Sequence, residues 1–473
     1  MALLAGVQAQ RTNREVANLA LMVRPESRAA TTPIFSVRRI PEFLQAPTAK
    51  RRLNEALIAP VAALPAGTCL AVGEHGSDLF LMNASRPLAP ASTQKLLTAL
   101  AALRVLGPDS TLTTEVMVTA APFDGVLAGD LWLVGGGDPL LMTKAYADRF
   151  DDQLAFSNLA DLAAAVIDAG IEEIQGSVVG DESRYDEIRY LGTWPDRFKP
   201  GWSIQSGPLS ALSVDDGFAN WDPVNPAASL SVPAEDPALR AAQLFDDLLE
   251  SEGVLILGRA DSGTVPSELV TKTVASLSSA PMHLLVEQML VASDNTTAEL
   301  LVKELSRTSS SVRGTTVSGL SVVLETLANA GHPVDGVVPH DGSGLDPDNR
   351  LTCGLLVSVL GDREYGSTLV EGLPVAGDRG TMKKRFVGTA AEGRVRAKTG
   401  TLRGVSSLAG VVDTPGGRRL AFALVSNGEL PYEIRTIHED VVLALLSYPA
   451  GPATDLLSPH PVQYARVDET SGG

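Results

Sequence analysis

Pro90-Ala91-Ser92-Thr93-Gln94-Lys95-Leu96-Leu97-Thr98-Ala99-Leu100 is the stretch around which the rest of the chain is organised. A proline and a small polar residue introduce apolar positions at Leu96, Leu97, Leu100 and Leu103, the spacing of a helix that begins near Ser92. Ser92 and Lys95 then share one face, with Cβ atoms about 5–6 Å apart. A hydroxyl at a helix start and an amine one turn later can serve as nucleophile and base. The same residues also suit a capped helix with an ordinary surface lysine, so the choice between the two rests on the remaining sequence.

The strands expected around that helix come from both ends of the chain. Upstream, Cys69–Val72 and Leu79–Met82 flank the polar Gly73–Asp78, which is a β-hairpin signal, after a helical stretch at 49–58. Downstream, Val395–Lys398, Ser406–Val412 and Arg419–Val425 read as three strands, and Arg435–Leu446 as a closing helix. Two early and three late strands predict one sheet, with 105–280 inserted between its parts. Within the insert, Thr113–Val118, Val126–Val134 and Ile174–Val179 read as strands. Leu159–Ala169 reads as a helix stopped by Gly170, and Arg240–Leu249 followed by Leu255–Leu257 loosely repeats that helix-then-strand unit. Gly135-Gly136-Gly137 lacks the Lys-Ser/Thr of a phosphate loop and reads as a turn. Helices are expected over 281–305, broken at Ser293-Asp294-Asn295, and over Val317–Ala330, with a loop at His340–Asn349. The expected division is a tail at 1–33, one domain from 34–104 with 281–450, an inserted domain at 105–280, and a tail at 451–473.

Composition narrows the possible partners. The 38 Lys and Arg against 56 Asp and Glu give a net charge of −18, which repels phosphate backbones and anionic lipid and argues against nucleic acid as a partner. An apolar fraction of 44% with 20% charged residues suits a soluble globular protein, and 473 residues suggest two domains or three. The two cysteines, Cys69 and Cys353, form no Cys-x-x-Cys; two buried thiols are the expected state, with pairing left open. The six histidines are scattered without metal spacing, so no metal or cofactor is expected. No apolar run reaches the roughly 18–20 residues needed to cross a bilayer. Val7-Gln8-Ala9 places small residues at the spacing of an export cleavage site, so residues 1–9 are expected to be the end of an export segment.

Three short strings occur in order: Ser92-Thr93-Gln94-Lys95, Ser293-Asp294-Asn295 and Lys398-Thr399-Gly400. They fall on a helix start, a helix-flanked loop and a strand. Attack on an amide needs Ser92 deprotonated, and Lys95 can take that proton only when neutral. At an ordinary pKa of about 10.4, about one lysine in 2,500 is neutral at pH 7, a cost of about 4–5 kcal/mol. Burial and a second cation, Lys398, would lower that cost. Ser293 is the candidate to pass a proton to the leaving amine, and Asn295 offers an amide to the substrate backbone. Lys398 and Thr399 offer donors to a terminal carboxylate, which points to a peptide end as substrate. No Gly-x-Ser-x-Gly elbow is present.

With this set of motifs the chain resembles the low-molecular-mass class C penicillin-binding proteins, the D-alanyl-D-alanine carboxypeptidase/endopeptidases of peptidoglycan. The likeness covers about residues 35–450. It extends to Gly129-Asp130-Leu131, Gly136-Gly137-Asp138-Pro139, Gly180-Asp181-Glu182-Ser183, Pro208–Ser213 and Asp341-Gly342-Ser343-Gly344-Leu345. The gap of 293 − 92 = 201 residues between the first two motifs matches the long insert of that family. The resemblance implies an α/β (α+β) fold: a transpeptidase-like domain with a mainly antiparallel five-stranded sheet flanked by helices, and a large inserted α/β domain. It implies catalysis by Ser92, Lys95, Ser293 and Lys398, and substrate binding by Asn295, Thr399, Gly400 and Thr401. The Ser92 and Thr401 N–H groups would form the oxyanion hole. Asp181 and Tyr185 would reach toward the site and bind the amine-bearing side chain of the stem peptide. Peptidoglycan stem peptides as partners, β-lactams as covalent inhibitors and an extracytoplasmic location are implied in the same way. The stretch after Ser213 is short for the family's nested third domain. Gly344-Leu345-Asp346-Pro347 stands where the family has Gly-Leu-Ser-Arg, with Arg350 as a candidate substitute. Two other readings remain: a β-lactamase or esterase of the same fold, with Glu325 as its deacylating residue, and a non-catalytic cell-wall binding protein.

Overall fold

A computed structural model of the protein describes residues 42–449, apart from 151–154, 269–270 and 311. The tails expected at 1–33 and 451–473, and the export reading of residues 1–9, lie outside the described residues. The described chain begins with α1 (Glu42–Ala62), β1 (Thr68–Glu74), β2 (Ser77–Met82) and α2 (Lys95–Val105). The insert supplies β3 (Thr113–Val118), β4 (Leu131–Val134), α3 (Leu159–Asp168) and β5 (Val178–Asp181). It continues through α4 (Pro237–Ser251), β6 (Asp261–Ser262) and β7 (Lys272–Ser278). Helices α5 (Met282–Ala292), α6 (Asn295–Ser310), α7 (Thr316–Asn329) and α8 (Cys353–Leu360) follow. The chain closes with β8 (Val395–Leu402), β9 (Val405–Asp413), β10 (Arg419–Asn427) and α9 (Ile434–Leu445).

The main sheet has the order β8-β9-β10-β1-β2, and every pair in it is antiparallel. The β1–β2 hairpin closes through His75 and Gly76, both at positive φ (47° and 79°), the turn whose twist matches that of the flanking strands. Strand alternation then sorts the helices between two faces. Ala423 and Val425 of β10 join the helical core, which holds Leu96, Leu100, Met289, Leu301 and Leu355. Ser426, pointing the other way, shares a 2.9 Å hydrogen bond with His438 of α9. Helix α2 is buried from Lys95 through Leu103. It is therefore the hub of the core rather than an amphipathic surface helix.

The insert strands build a second sheet, β6-β5-β4-β3-β7, parallel across its first three strands and antiparallel thereafter. Two expected strands are each divided. Val126–Leu127 and Glu173–Ile174 break off from β4 and β5 and join Leu255–Ile256 in a separate parallel ladder. Gly129, at φ 138°, turns the first of them, and Gly176 packs against it with no room for a Cβ. Both helix-then-strand units seen in sequence thus feed neighbouring strands of one small ladder. Among the elements labelled above, β6, β7 and α8 escaped the sequence reading.

Cys69 and Cys353 correct the expectation of two free thiols, for they form a disulfide with Cα atoms 6.0 Å apart. They are 284 residues apart in sequence, and only the packing of α8 on β1 makes them neighbours. Closing so long a loop restricts the unfolded chain strongly. Replacing both cysteines by alanine is expected to lower stability by about 2–5 kcal/mol. Denaturant titration of the parent and the double variant without reductant measures the difference.

Candidate active site

Ser92 lies in a 3-10 turn, Ala91–Gln94, immediately before α2. That turn is shaped from three sides. The Pro90 carbonyl accepts from Thr93 Oγ1 (2.8 Å) and from Ser407 Oγ of β9 (2.6 Å). Ala91 is held at φ 50°, and the bare Cα of Gly344, itself at φ 86°, approaches so closely that a Cβ there would lie 2.0 Å from the Ala91 carbonyl. Gly400 of β8 is equally constrained: a Cβ would come 2.2 Å from Ser407 Oγ and 2.9 Å from the Ser92 nitrogen. The glycine of the third motif is what lets the strand lie against the Ser92 backbone.

Lys95 is wholly buried. Its Nζ donates to Ser92 Oγ (3.3 Å), Asn295 Oδ1 (2.7 Å) and the Ser343 carbonyl (2.7 Å). Burial lowers its pKa to about 8, against the opposing pull of Asp341, Asp294 and Glu299. Lys398 is also fully buried, and its Nζ donates to Ser293 Oγ at 2.7 Å. Its pKa falls well below the ordinary range through burial and then through the nearby charge of Lys95. Two causes were expected to act on Lys95, burial and a second cation. Of these, the structure assigns the shift of Lys95 to desolvation.

The second motif takes its shape from a helix break. Ser293 ends α5 in the left-handed region (φ 59°), and Asp294 caps α6 by accepting from the Thr296 nitrogen (2.9 Å) and from Thr297. This turns Ser293 and Asn295 toward the first motif while Asp294 faces inward. The Asn295 amide is itself engaged, its Nδ2 donating to the Gln205 carbonyl at 2.6 Å. Two carboxyls hold the loop that carries Ser343: Glu299, which the sequence reading did not mark, and Asp341, which opens one of the strings quoted above. Glu299 accepts from the Gly342 (3.0 Å) and Ser343 (2.7 Å) nitrogens, and burial raises its pKa to about 8. Asp341 accepts from the Gly344 nitrogen (2.8 Å), Asn349 Nδ2 (2.7 Å) and Trp194 Nε1 (2.9 Å). Glu299 had no visible signal, since an acid in the first turns of a helix usually faces solvent.

A cleft of about 470 Å³ opens over this centre. Ser92, Ser293, Asn295, Thr399, Gly400 and Thr401 all line it, joined by Leu345, Leu402 and Arg403 and, from the insert, by Arg197, Phe198 and Gln205. Strand β8 is at the edge of its sheet; the 374–376 segment covers its first half, bonding Val395 and Ala397, and the cleft lies against Thr399–Arg403. Asp181 and Tyr185 are not in the cleft. Asp181 is buried and accepts from the Ser183 (2.7 Å) and Val265 (2.6 Å) nitrogens. Tyr185 is buried against Leu209, Ala211 and Leu300 and donates to Glu304 at 2.8 Å. These two residues secure the insert to itself and to α6 instead of facing a substrate. Arg350 also lies outside the cleft, its Nη1 donating to the Pro347 and Asn349 carbonyls, both at 2.8 Å. Glu325 is exposed on α7.

Comparison with known proteins gives the family and the fold. The family model described as the D-Ala-D-Ala carboxypeptidase 3 (S13) family matches residues 66–228 and 224–446. A D-alanyl-D-alanine carboxypeptidase of Actinomadura sp. is 30% identical over 449 residues, covering 80% of this chain and 81% of that protein. Carboxypeptidase DacB of Mycolicibacterium smegmatis is 33% identical over 418 residues, covering 83% and 84%. In fold, the chain is similar to the crystal structure of penicillin binding protein 4 (dacB) from Haemophilus influenzae, with a TM-score of 0.68 and 22% identity over 83% of this chain and 98% of that one.

Proposed function

The chain belongs to the D-Ala-D-Ala carboxypeptidase 3 (S13) family, and from that membership and the geometry of its cleft we propose the following reaction. It is a serine DD-peptidase that hydrolyses D-Ala-D-Ala ends and D-Ala cross-links of peptidoglycan stem peptides through an acyl-enzyme on Ser92. One observation carries the reading: two Ser–Lys pairs, Ser92–Lys95 at 3.3 Å and Ser293–Lys398 at 2.7 Å, converge on one cleft beside an edge strand.

The peptide lies along β8 as an added strand, its terminal carboxylate toward Lys398 and Thr399. That anion favours the charged form of Lys398. Neutral Lys95 takes the Ser92 proton as Oγ attacks the carbonyl carbon of the penultimate D-Ala. The oxyanion lies between the Ser92 and Thr401 N–H groups, worth about 3–4 kcal/mol per donor. The C–N bond breaks, the proton that Lys95 took from Ser92 passes by way of the Ser293 hydroxyl to the leaving nitrogen, Lys95 is neutral again, and D-alanine departs. Water then hydrolyses the ester with Lys95 again as base. In this proposal residues 34–104 and 281–450 are the catalytic domain and 105–280 an inserted one. The Cys69–Cys353 disulfide supports an extracytoplasmic site of action. The solvent-exposed Glu325 supports slow release of β-lactam adducts over β-lactamase turnover.

Incubation with benzylpenicillin and with an acyl-D-Ala-D-Ala peptide tests the reading. The expected result is a long-lived single adduct on the peptide bearing Ser92, together with released D-alanine. Absence of both would refute it, and rapid penicillin turnover would favour the β-lactamase.

A further inference from the structure

The charged side chains on the cleft rim run against the character of the whole protein. The chain carries a net charge of −18, yet no Asp or Glu among the described residues lines the cleft, whose exposed charges are Arg197 and Arg403. Arg403 sits in the two-residue turn between β8 and β9, where Leu402 pairs with Val405 and Gly404 adopts φ 72°. It is therefore fixed at the end of the strand along which the peptide lies. Arg197 faces it from the insert, in the short turn Asp196–Phe198, its guanidinium 4.4 Å from the centre of the Phe198 ring. Among the described residues neither guanidinium has a carboxylate partner, whereas Arg104, Arg184, Arg189, Arg379 and Arg385 each pair with one.

Register along β8 says which part of the substrate meets them. With the terminal carboxylate at Lys398 and Thr399 and the scissile carbonyl at Thr401, the peptide runs opposite to β8. The residue before the D-Ala-D-Ala pair then falls one position further on, about 3–4 Å away, beside Leu402 and next to Arg403 at the strand end. Its side chain enters a space with apolar walls (Phe198, Leu345 and Leu402) and guanidinium groups at its mouth. Arginine is always protonated and matches a carboxylate in bidentate geometry, whereas an ammonium group there meets only like charge.

Resting on the DD-peptidase reading, we propose that Arg403 and Arg197 determine specificity for stem peptides whose third side chain ends in a carboxylate, against those ending in a free amine. This inverts the amine recognition implied by the family resemblance, whose acid Asp181 is buried away from the cleft. The test uses three acetylated peptides, X-D-Ala-D-Ala, in which the side chain of X ends in a carboxylate, the corresponding amide or an amine, with D-alanine release as the readout. At low salt the carboxylate peptide is expected to exceed the amine peptide about tenfold in kcat/KM, with the amide between them. Raising salt to about 0.5 M should shrink the ratio, since the contacts are solvent-exposed. The double variant Arg197→Gln/Arg403→Gln should bring the three peptides within about twofold of each other. Arg403→Glu should favour the amine peptide, a reversal that a merely structural role for Arg403 would not produce. Equal or amine-preferring wild-type kinetics, or a preference that survives in the double variant, would overturn the proposal alone. Failure to cleave any of the three, with no penicillin adduct, would overturn the peptidase reading and this one with it.

Discussion

Ser92→Ala is expected to leave no covalent adduct with benzylpenicillin and to cut D-alanine release by about 10⁴- to 10⁶-fold, the scale on which serine hydrolases respond to loss of their nucleophile. The structure explains why no other group would substitute. Ser293 is the other hydroxyl in the cleft with a lysine partner, but it ends α5 in a left-handed conformation and bonds Lys398. Ser92, by contrast, has its own N–H beside the edge strand, because Gly400 leaves room there. A variant that still formed the adduct would require another nucleophile and would sink the mechanism. Intact-mass analysis after exposure to penicillin decides it, and retained thermal stability excludes unfolding as the cause.

Lys95 should show the second-largest effect, and its sign can be worked out from burial. Only the neutral amine is a base. With its pKa lowered to about 8, about one Lys95 in ten is neutral at pH 7, against about one in 2,500 for an ordinary lysine. The preparation cost thereby falls from about 4–5 kcal/mol to about 1.4 kcal/mol. Acylation is expected to rise about tenfold per pH unit below about 8 and to level off above it. Lys95→Met should lower acylation about 10³- to 10⁴-fold and remove that rise. Lys95→Arg keeps the charge but cannot lose a proton, so it should be as inactive as the methionine variant if Lys95 is a base. Substantial activity in Lys95→Arg, or a flat profile from pH 6 to 9 in the parent, would exclude the role. Stopped-flow acylation across that range is the measurement.

Much of the site was legible because its chemistry sits in short local strings whose order along the chain carries information. Ser92 with Lys95 is one helical turn, Ser293 with Asn295 one helix break, and Lys398 to Thr401 one strand. The hairpin at His75-Gly76 and the three C-terminal strands followed from alternation and turn residues for the same reason. What escaped was whatever depends on a distant partner. Glu299 looks like a solvated helix residue until the 342–343 backbone is folded onto it, and Arg403 looks like any exposed arginine until the opposite wall of the cleft is in place. Asp181 and Tyr185 fail in the opposite sense: their neighbourhood in sequence resembled a substrate-binding region, but folding directs their side chains into the insert and toward α6.

Sequence by itself marked the residues proposed as nucleophile and base, the edge strand's glycine and the two-ended origin of the main sheet, since each follows from spacing within one element or from element order. The tertiary structure alone decided that Cys69 meets Cys353, that burial brings the pKa of Lys95 down to about 8, and that among the described residues the cleft is lined by arginines and no carboxylate. The physical reason is one of range. Backbone periodicity acts over a few residues and is written in the chain. Desolvation and charge pairing act through space, between groups that sequence separates by hundreds of residues.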